Sequence, residues 1–455
     1  MRVSLTNLGG YIVHKEEIIL DKALEIYSNS GLKEAYDFLV NHFGTTDKPS
    51  SQYYNFLYCL AATTGQKNES LSWLHQAIVD NGFWYRPEIF EDTDLDSIRD
   101  EPVFEKLKEL SDSRYKNAMY QSETVCTFKK VEKKKLALVL HGNQQNISSD
   151  GGYWYYLELD GYQVVYVQSK TIDSVGLYRW EENESTQLNE VLASLPLGAY
   201  EEIALCGFSA GCNEILRTMI NCQFKPTRVI FVAPWLPIFD KDENKVQEAL
   251  EEVEIAITCG DLDEDCLPLS QKLAAITGGT FTLLSHHGHR LPLQIITDRL
   301  FLRSFNCSDL NDYVEIMANH QVTKYLGDGS KRSTKQIEKL MTQWQANFYK
   351  GTPVFAVVEK DSRQLIGHCG LAPLADGRTE ILYAFAPSAW GKGYATEAGQ
   401  AVIDLAKEML FLDEIMALSY PENKASRKVI EKMNFKYVGQ EEYFNQQLDV
   451  FSLKI

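Results

Sequence analysis

The sequence holds little positive charge and no long apolar run. Lys and Arg number 45 against 63 Asp and Glu, a formal net charge of -18 with a pI near 5.0, so a surface for phosphate backbones would have to be concentrated in one place. The one basic run, Lys129, Lys130, Lys133, Lys134 and Lys135, precedes a strand-like segment and reads as a solvated linker, which removes nucleic acid from the expected partners. Apolar runs stay far below the ~18 residues of a membrane span. Met1-Arg2-Val3-Ser4-Leu5-Thr6-Asn7 leads into no apolar signal core, so a cytoplasmic chain without a membrane partner is expected. The nine cysteines include no C-x-x-C pair and lie mostly in apolar stretches such as Ile203-Ala204-Leu205-Cys206, which excludes a disulfide framework and gives no zinc signature. At 455 residues the chain exceeds what one core sustains, and two or three domains are expected.

Residues 1–118 lack strand signals. Apolar residues recur at three-to-four spacing in Ala23-Leu24-Glu25-Ile26-Tyr27 and Ala35-Tyr36-Asp37-Phe38-Leu39, the period of amphipathic helices. Asn55-Phe56-Leu57-Tyr58-Cys59-Leu60-Ala61-Ala62, Gly65 and Ser70 to Ile78 resemble a tetratricopeptide hairpin, in which small residues let two helices approach. Such a region would bind a protein partner. The alternative is a plain helical bundle, and in either case Pro102 is placed to start the last helix.

Residues 119–292 change period. Leu136 to His141, Gln163 to Val167, Glu202 to Cys206, Arg228 to Val232 and Glu254 to Thr258 are short, nearly uninterrupted apolar runs separated by helical spacers, the pattern of a parallel, doubly wound sheet buried on both faces. Gly207-Phe208-Ser209-Ala210-Gly211 falls between one such strand and a helix, the setting in which G-x-S-x-G presents a nucleophilic serine on a strained turn. The segment resembles the α/β-hydrolases, in particular the small dienelactone-hydrolase-like branch. That resemblance implies Asp263 as the triad acid, with Asp261 a competitor, and His289 as the triad base ahead of His286 and His287. It also implies an oxyanion site from the N–H of Ala210 with one from the loop at Asn143, and an esterase or thioesterase activity. A hydrolase fold retained as a scaffold is the alternative. The three histidines on one loop, without placed carboxylates, do not make a metal site, and no metal is expected.

Residues 293–455 carry Trp390-Gly391-Lys392-Gly393-Tyr394-Ala395-Thr396 between a strand, Glu380 to Phe385, and a helical stretch. Two glycines there let main-chain N–H groups converge, and the helix N-terminus adds partial positive charge, so the segment reads as a phosphate cradle. Together with Thr297-Asp298-Arg299-Leu300-Phe301-Leu302-Arg303 and the order of helices and strands, it resembles the GNAT N-acetyltransferases, closest to the ribosomal-protein-alanine branch. The fold implied for the third domain is α+β and the co-substrate acetyl-CoA, its diphosphate held by residues 390–396. The acceptor would be an amine on a protein or a small molecule. Asn423 would hold the pantetheine arm. Many relatives place a tyrosine at the position of Ile430 to protonate the departing thiolate; here that tyrosine is missing, and the resemblance makes Ser426 its replacement. A carboxylate must take the amine's proton, and Glu380 at the entry of its strand is the candidate, weighed against an exposed strand-edge charge.

Three functional hypotheses follow: a multidomain enzyme led by acetyl transfer with a serine hydrolase beside it; a hydrolase regulated by an acetyl-CoA-binding module; and a helical scaffold delivering a partner to the transferase.

Overall fold

In the computed structural model, residues 15–44, 48–129, 131–150, 152–181 and 187–455 are described; Met1 to Asn7 and Lys130 lie outside them. Two units are distinguished. One runs through the helices and the parallel sheet to Cys259 and takes up Glu264–Thr282, and the other consists of Gly260–Asp263 and Leu283–Ile455.

The first unit begins with helices Lys15–Ser30, Leu32–His42, Ser51–Thr63, Lys67–His75 and Pro102–Gln121. Ser50 caps the third by accepting from the N–H groups of Gln52 and Tyr53 at 3.1 and 3.2 Å, supplying acceptors that a helix start lacks. Pro102 opens the last helix. The expected hairpin spans Ser51–Thr63 and Lys67–His75, but the second helix loosens into a π turn at Gln76–Asp80 and the chain continues as short 3-10 turns, Pro87–Glu91 and Thr93–Leu95. Tyr54, Tyr58, Leu74, Phe90 and Phe104 close its core.

The strands that follow are β1 (Val125–Cys126), β2 (Lys135–Leu140), β3 (Tyr162–Gln168), β4 (Ile172–Ser174), β5 (Leu177–Tyr178), β6 (Glu202–Phe208), β7 (Arg228–Val232), β8 (Glu254–Gly260) and β9 (Thr280–Leu284). Seven of them form one sheet in the order β1-β3-β2-β6-β7-β8-β9, while β4 and β5 make a separate two-stranded ribbon. The pairs β2–β3, β2–β6, β6–β7 and β7–β8 are parallel, matching the five apolar runs. Their buried side chains, Leu138, Val165, Leu205, Phe231 and Ile257 among them, join the helix Ala210–Cys222 in one core.

The second unit is built on β10 (Gln294–Ile296), β11 (Leu300–Arg303), β12 (Val354–Glu359), β13 (Leu365–Pro373), β14 (Thr379–Phe385), β15 (Glu414–Ser419), β16 (Lys436–Tyr443) and β17 (Gln446–Lys454), in the order β10-β11-β12-β13-β14-β15-β17-β16. Pairing is antiparallel except for β14 with β15, which run parallel and pair at only two registers, Glu380 with Met416 and Ile381 with Ala417. Past those residues the two strands no longer pair. The helix Tyr394–Glu408 packs on one face through Ala398, Val402 and Leu405; Leu310–Ala318 and Thr334–Asn347 pack on the other through Tyr313, Ile316, Ile337 and Met341. No helix among the described residues is long and apolar enough to cross a membrane.

Candidate active sites

Ser209 stands between β6 and the helix Ala210–Cys222 with φ 53° and ψ -124°, a conformation that costs an L-residue energy and is found where function demands it. Two close approaches hold the turn. A Cβ on Gly211 would lie 2.6 Å from the carbonyl oxygen of His141, and one on Gly207 would lie 2.8 Å from the amide nitrogen of Cys212. Because His141 directly follows a central strand, its carbonyl cannot retreat cheaply. Gly211→Ala is therefore expected to lower the unfolding free energy by roughly 1–3 kcal/mol, the cost of overpacking a filled interior, read as a shift in urea midpoint at unchanged slope.

Ala210 is the first residue of the helix, and its N–H is one of those that find no intrahelical acceptor. Asn143 sits on the loop after β2. Its side-chain oxygen accepts from the N–H of Trp180 at 2.9 Å, the Trp180 indole donates to the His141 carbonyl at 2.7 Å, and the Gln145 side chain accepts from the Gly142 N–H at 2.9 Å. The side chain of Asn143 thus shapes its loop.

In the second unit, Asp263 and His289 meet, Oδ2 to Nδ1, at 2.8 Å, with the aspartate side chain 3% and the imidazole 41% exposed. A buried carboxylate on Nδ1 fixes the tautomer that leaves Nε2 for proton transfer. The competitor Asp261 instead accepts from the main-chain N–H of His287 at 3.2 Å. His287 is buried, stacks on Tyr349 at 4.1 Å between ring centroids, and has its pKa depressed to about 4 by desolvation, so it is a neutral packing residue at pH 7.

The transferase site gathers around the N-terminus of Tyr394–Glu408. Gly391 and Gly393 have φ of 75° and 85°, and Gly393 occupies the N-cap without a side-chain cap. Gly391, Lys392 and Gly393 are exposed, and a Cβ on Gly391 would meet nothing within 4 Å. The first-turn N–H groups, those of Tyr394, Ala395 and Thr396, have no acceptor within their own helix. A clasp invisible to sequence reasoning fixes this loop from behind: Arg299 donates to the Lys392 carbonyl at 2.8 Å and pairs with Glu397 at 2.6 Å, and Thr297 donates to the same carboxylate at 2.5 Å. Trp390 turns its indole N–H to the Phe385 carbonyl at 2.8 Å while 47% exposed, so its side chain ties loop to strand.

Glu380 is half-buried and stands opposite Ala372 of β13 and Met416 of β15. Burial pushes its pKa up to about 7. Asn423 caps the helix Lys424–Lys432 by accepting from the Ser426 N–H at 3.1 Å. Ser426 Oγ meets the hydroxyl of Tyr383 at 3.0 Å, whose pKa burial raises further. Ile430, where relatives carry tyrosine, is 1% exposed in the core. Sequence reasoning missed Tyr383, which reads as one more apolar residue of a buried strand.

A sheet with one parallel pair that parts beside an uncapped, glycine-led helix N-terminus defines a CoA-type acyltransferase fold. The comparisons agree: residues 299–436 match the acetyltransferase (GNAT) domain. The chain is 30% identical over 154 residues to the uncharacterized N-acetyltransferase p20 of Bacillus licheniformis, spanning 32% of this chain and 83% of that protein. It is 31% identical over 168 residues to the uncharacterized protein YkkB of Bacillus subtilis (strain 168), spanning 35% of this chain and 95% of that one. The chain belongs to the GNAT acetyltransferase family through its C-terminal third. Residues 15–119 match the N-terminal domain of A/B hydrolase-like proteins, which ties the helices to the sheet after them. A crystal structure of an uncharacterized protein from Bacillus cereus ATCC 10987 is similar at 27% identity, covering 60% of this chain and 92% of that one with a TM-score of 0.32.

Proposed function

We propose that the protein transfers an acetyl group from acetyl-CoA to an amine, carried by a protein N-terminus or a small molecule as in the ribosomal-protein acetyltransferases it resembles. The observation that carries this is the uncapped helix start at Gly393, beside the point where β14 and β15 cease to pair. Main-chain N–H groups of residues 391–396 would hold the diphosphate, with the amide of Asn423 on the pantetheine arm. Glu380 takes the proton of the attacking amine as nitrogen bonds to the acetyl carbon. The C–S bond breaks, and the paired hydroxyls of Ser426 and Tyr383 return a proton to sulfur. The acceptor would enter past the loop Thr323 to Thr334, which the Tyr420 hydroxyl anchors by donating to the Gly327 carbonyl at 2.7 Å.

Acetyl-CoA at a hundred times its Kd is expected to stabilise the full-length chain by about 2.7 kcal/mol, visible as a rise in melting temperature. Gly393→Asp, which puts a carboxylate and a strained backbone in the cradle, should abolish that rise. A wild-type chain that does not respond would contradict the proposal.

The strained turn at Ser209 favours a second activity, ester or thioester hydrolysis. Acetyl-CoA binding without acetyl transfer to any amine would instead favour a hydrolase with a sensing module.

A further inference from the structure

The helical region 15–121 is bound to the hydrolase-like sheet through the β4–β5 ribbon. Arg86 Nε lies 2.7 Å from Oδ1 of Asp173, and the Arg86 N–H donates to the Asp173 carbonyl at 3.0 Å. Ser51, at the start of its helix, meets Ser174 hydroxyl to hydroxyl at 2.9 Å, while the Tyr85 hydroxyl donates to the Ser51 carbonyl at 2.9 Å. Asp173, Ser174, Ser51 and Tyr85 are all buried. Polar groups buried together in this way hold one geometry, because any other leaves them unpaired.

The other end of the ribbon grips the loop after β2. Tyr178 and Gln145 exchange main-chain hydrogen bonds at 2.8 and 3.3 Å, and the Asn146 amide donates to the Gly176 carbonyl at 3.0 Å. Just before them stands Gln144, a non-glycine residue at φ 56°, whose side chain accepts from Gln52 of the helical region at 3.3 Å. This loop carries Asn143. For a loop outside the main sheet, bent through a left-handed residue, these contacts join those of Trp180 and Gln145 in setting where its N–H groups point.

We propose that the N-terminal helical region is a positioning device for the oxyanion loop of the serine site, acting through the ribbon with Arg86 and Ser174 as positioning residues. The proposal rests on the hydrolase activity proposed above. An oxyanion donor acts only when aimed at the tetrahedral oxygen, and its loss costs on the order of 10²–10³ in kcat. Displacement rather than loss, as when the frame behind the loop is loosened, should cost less. The helices then serve the hydrolase and are not a free platform.

The test uses the full-length protein, 4-nitrophenyl acetate as ester and phenylboronic acid as the tetrahedral probe, with Arg86→Ala, Arg86→Lys and Ser174→Ala. Arg86→Ala and Ser174→Ala are expected to lower kcat roughly 10–100-fold, the scale of a misplaced catalytic group, and to weaken boronate affinity by a similar factor at nearly constant KM. Arg86→Lys should recover part of the loss, and the acetyl-CoA thermal shift should stay as in the wild type. Ser174→Ala, which leaves no buried charge unpaired, keeps the test open if Arg86→Ala does not fold. Variants that fold and keep kcat and boronate affinity at wild-type level would overturn the positioning role. A wild-type protein that neither hydrolyses the ester nor reacts with a fluorophosphonate would overturn the hydrolase activity itself.

Discussion

Ser209→Ala is expected to abolish labelling by a fluorophosphonate probe and to lower ester hydrolysis by roughly 10⁶-fold, the scale on which loss of a triad nucleophile acts. The expectation stands on the geometry of the serine's turn and, separately, on that of the acid–base pair. The Ser209 backbone is held at φ 53° by a turn that tolerates no Cβ at Gly207 or Gly211, and Asp263 and His289 are hydrogen bonded at 2.8 Å. Removing one oxygen leaves the elbow intact, so stability should change little and acetyl transfer not at all. Equal labelling of wild type and variant would place the reactive group elsewhere.

The second large effect is expected at Glu380. With its pKa near 7, this group would, in the proposed transfer, be a base whose ionised fraction rises through the working pH range, close to the optimum for proton transfer. The acidic limb of kcat/KM against pH should show an apparent pKa near 7. Glu380→Gln should remove that limb and lower the plateau about 10²-fold, the low end of general-base contributions. Linkage gives an independent check. A carboxyl with a raised folded pKa binds more protons in the native than in the unfolded state between about pH 4.5 and 7, so wild-type stability falls as pH rises through that window. Glu380→Gln should lack this fall and be relatively more stable at pH 8 than at pH 4. A variant with unaltered pH–rate and pH–stability curves would exclude Glu380 as the base.

Much of the fold was legible because it follows from period and punctuation. The five apolar runs of the middle region appear as β2, β3, β6, β7 and β8, since strands covered on both faces leave no polar alternation to confuse them. Asn434, of a residue type that takes the left-handed region readily, has φ 67° just past the helix Lys424–Lys432. The elbow at Ser209 was legible for a similar reason: its glycines answer a local backbone constraint.

What escaped depends on contacts between distant segments. Arg299 and Glu397 lie 98 positions apart, and nothing in either neighbourhood marks them as partners. Tyr383 is one tyrosine of 24 until the fold lays its hydroxyl on Ser426. Glu380 could be an edge charge or a buried base on sequence grounds, because alternation tells which residues share a face but not whether another strand covers them. The helical region resembles a freestanding repeat for the same reason: the buried hydroxyl of Ser51 meets that of Ser174 in the ribbon, 123 positions away.

The short parallel pairing of β14 and β15 has a consequence for ligand choice. An outer sheet edge invites any extended chain to add to it, whereas a cleft opening within a sheet, with a strand on each flank, admits only an occupant slender enough to lie between them. Under the proposed acetyl transfer, preference for a thin arm bearing its own amide groups would thereby be built into the backbone, where exchange of side chains would retune the acceptor without disturbing the donor.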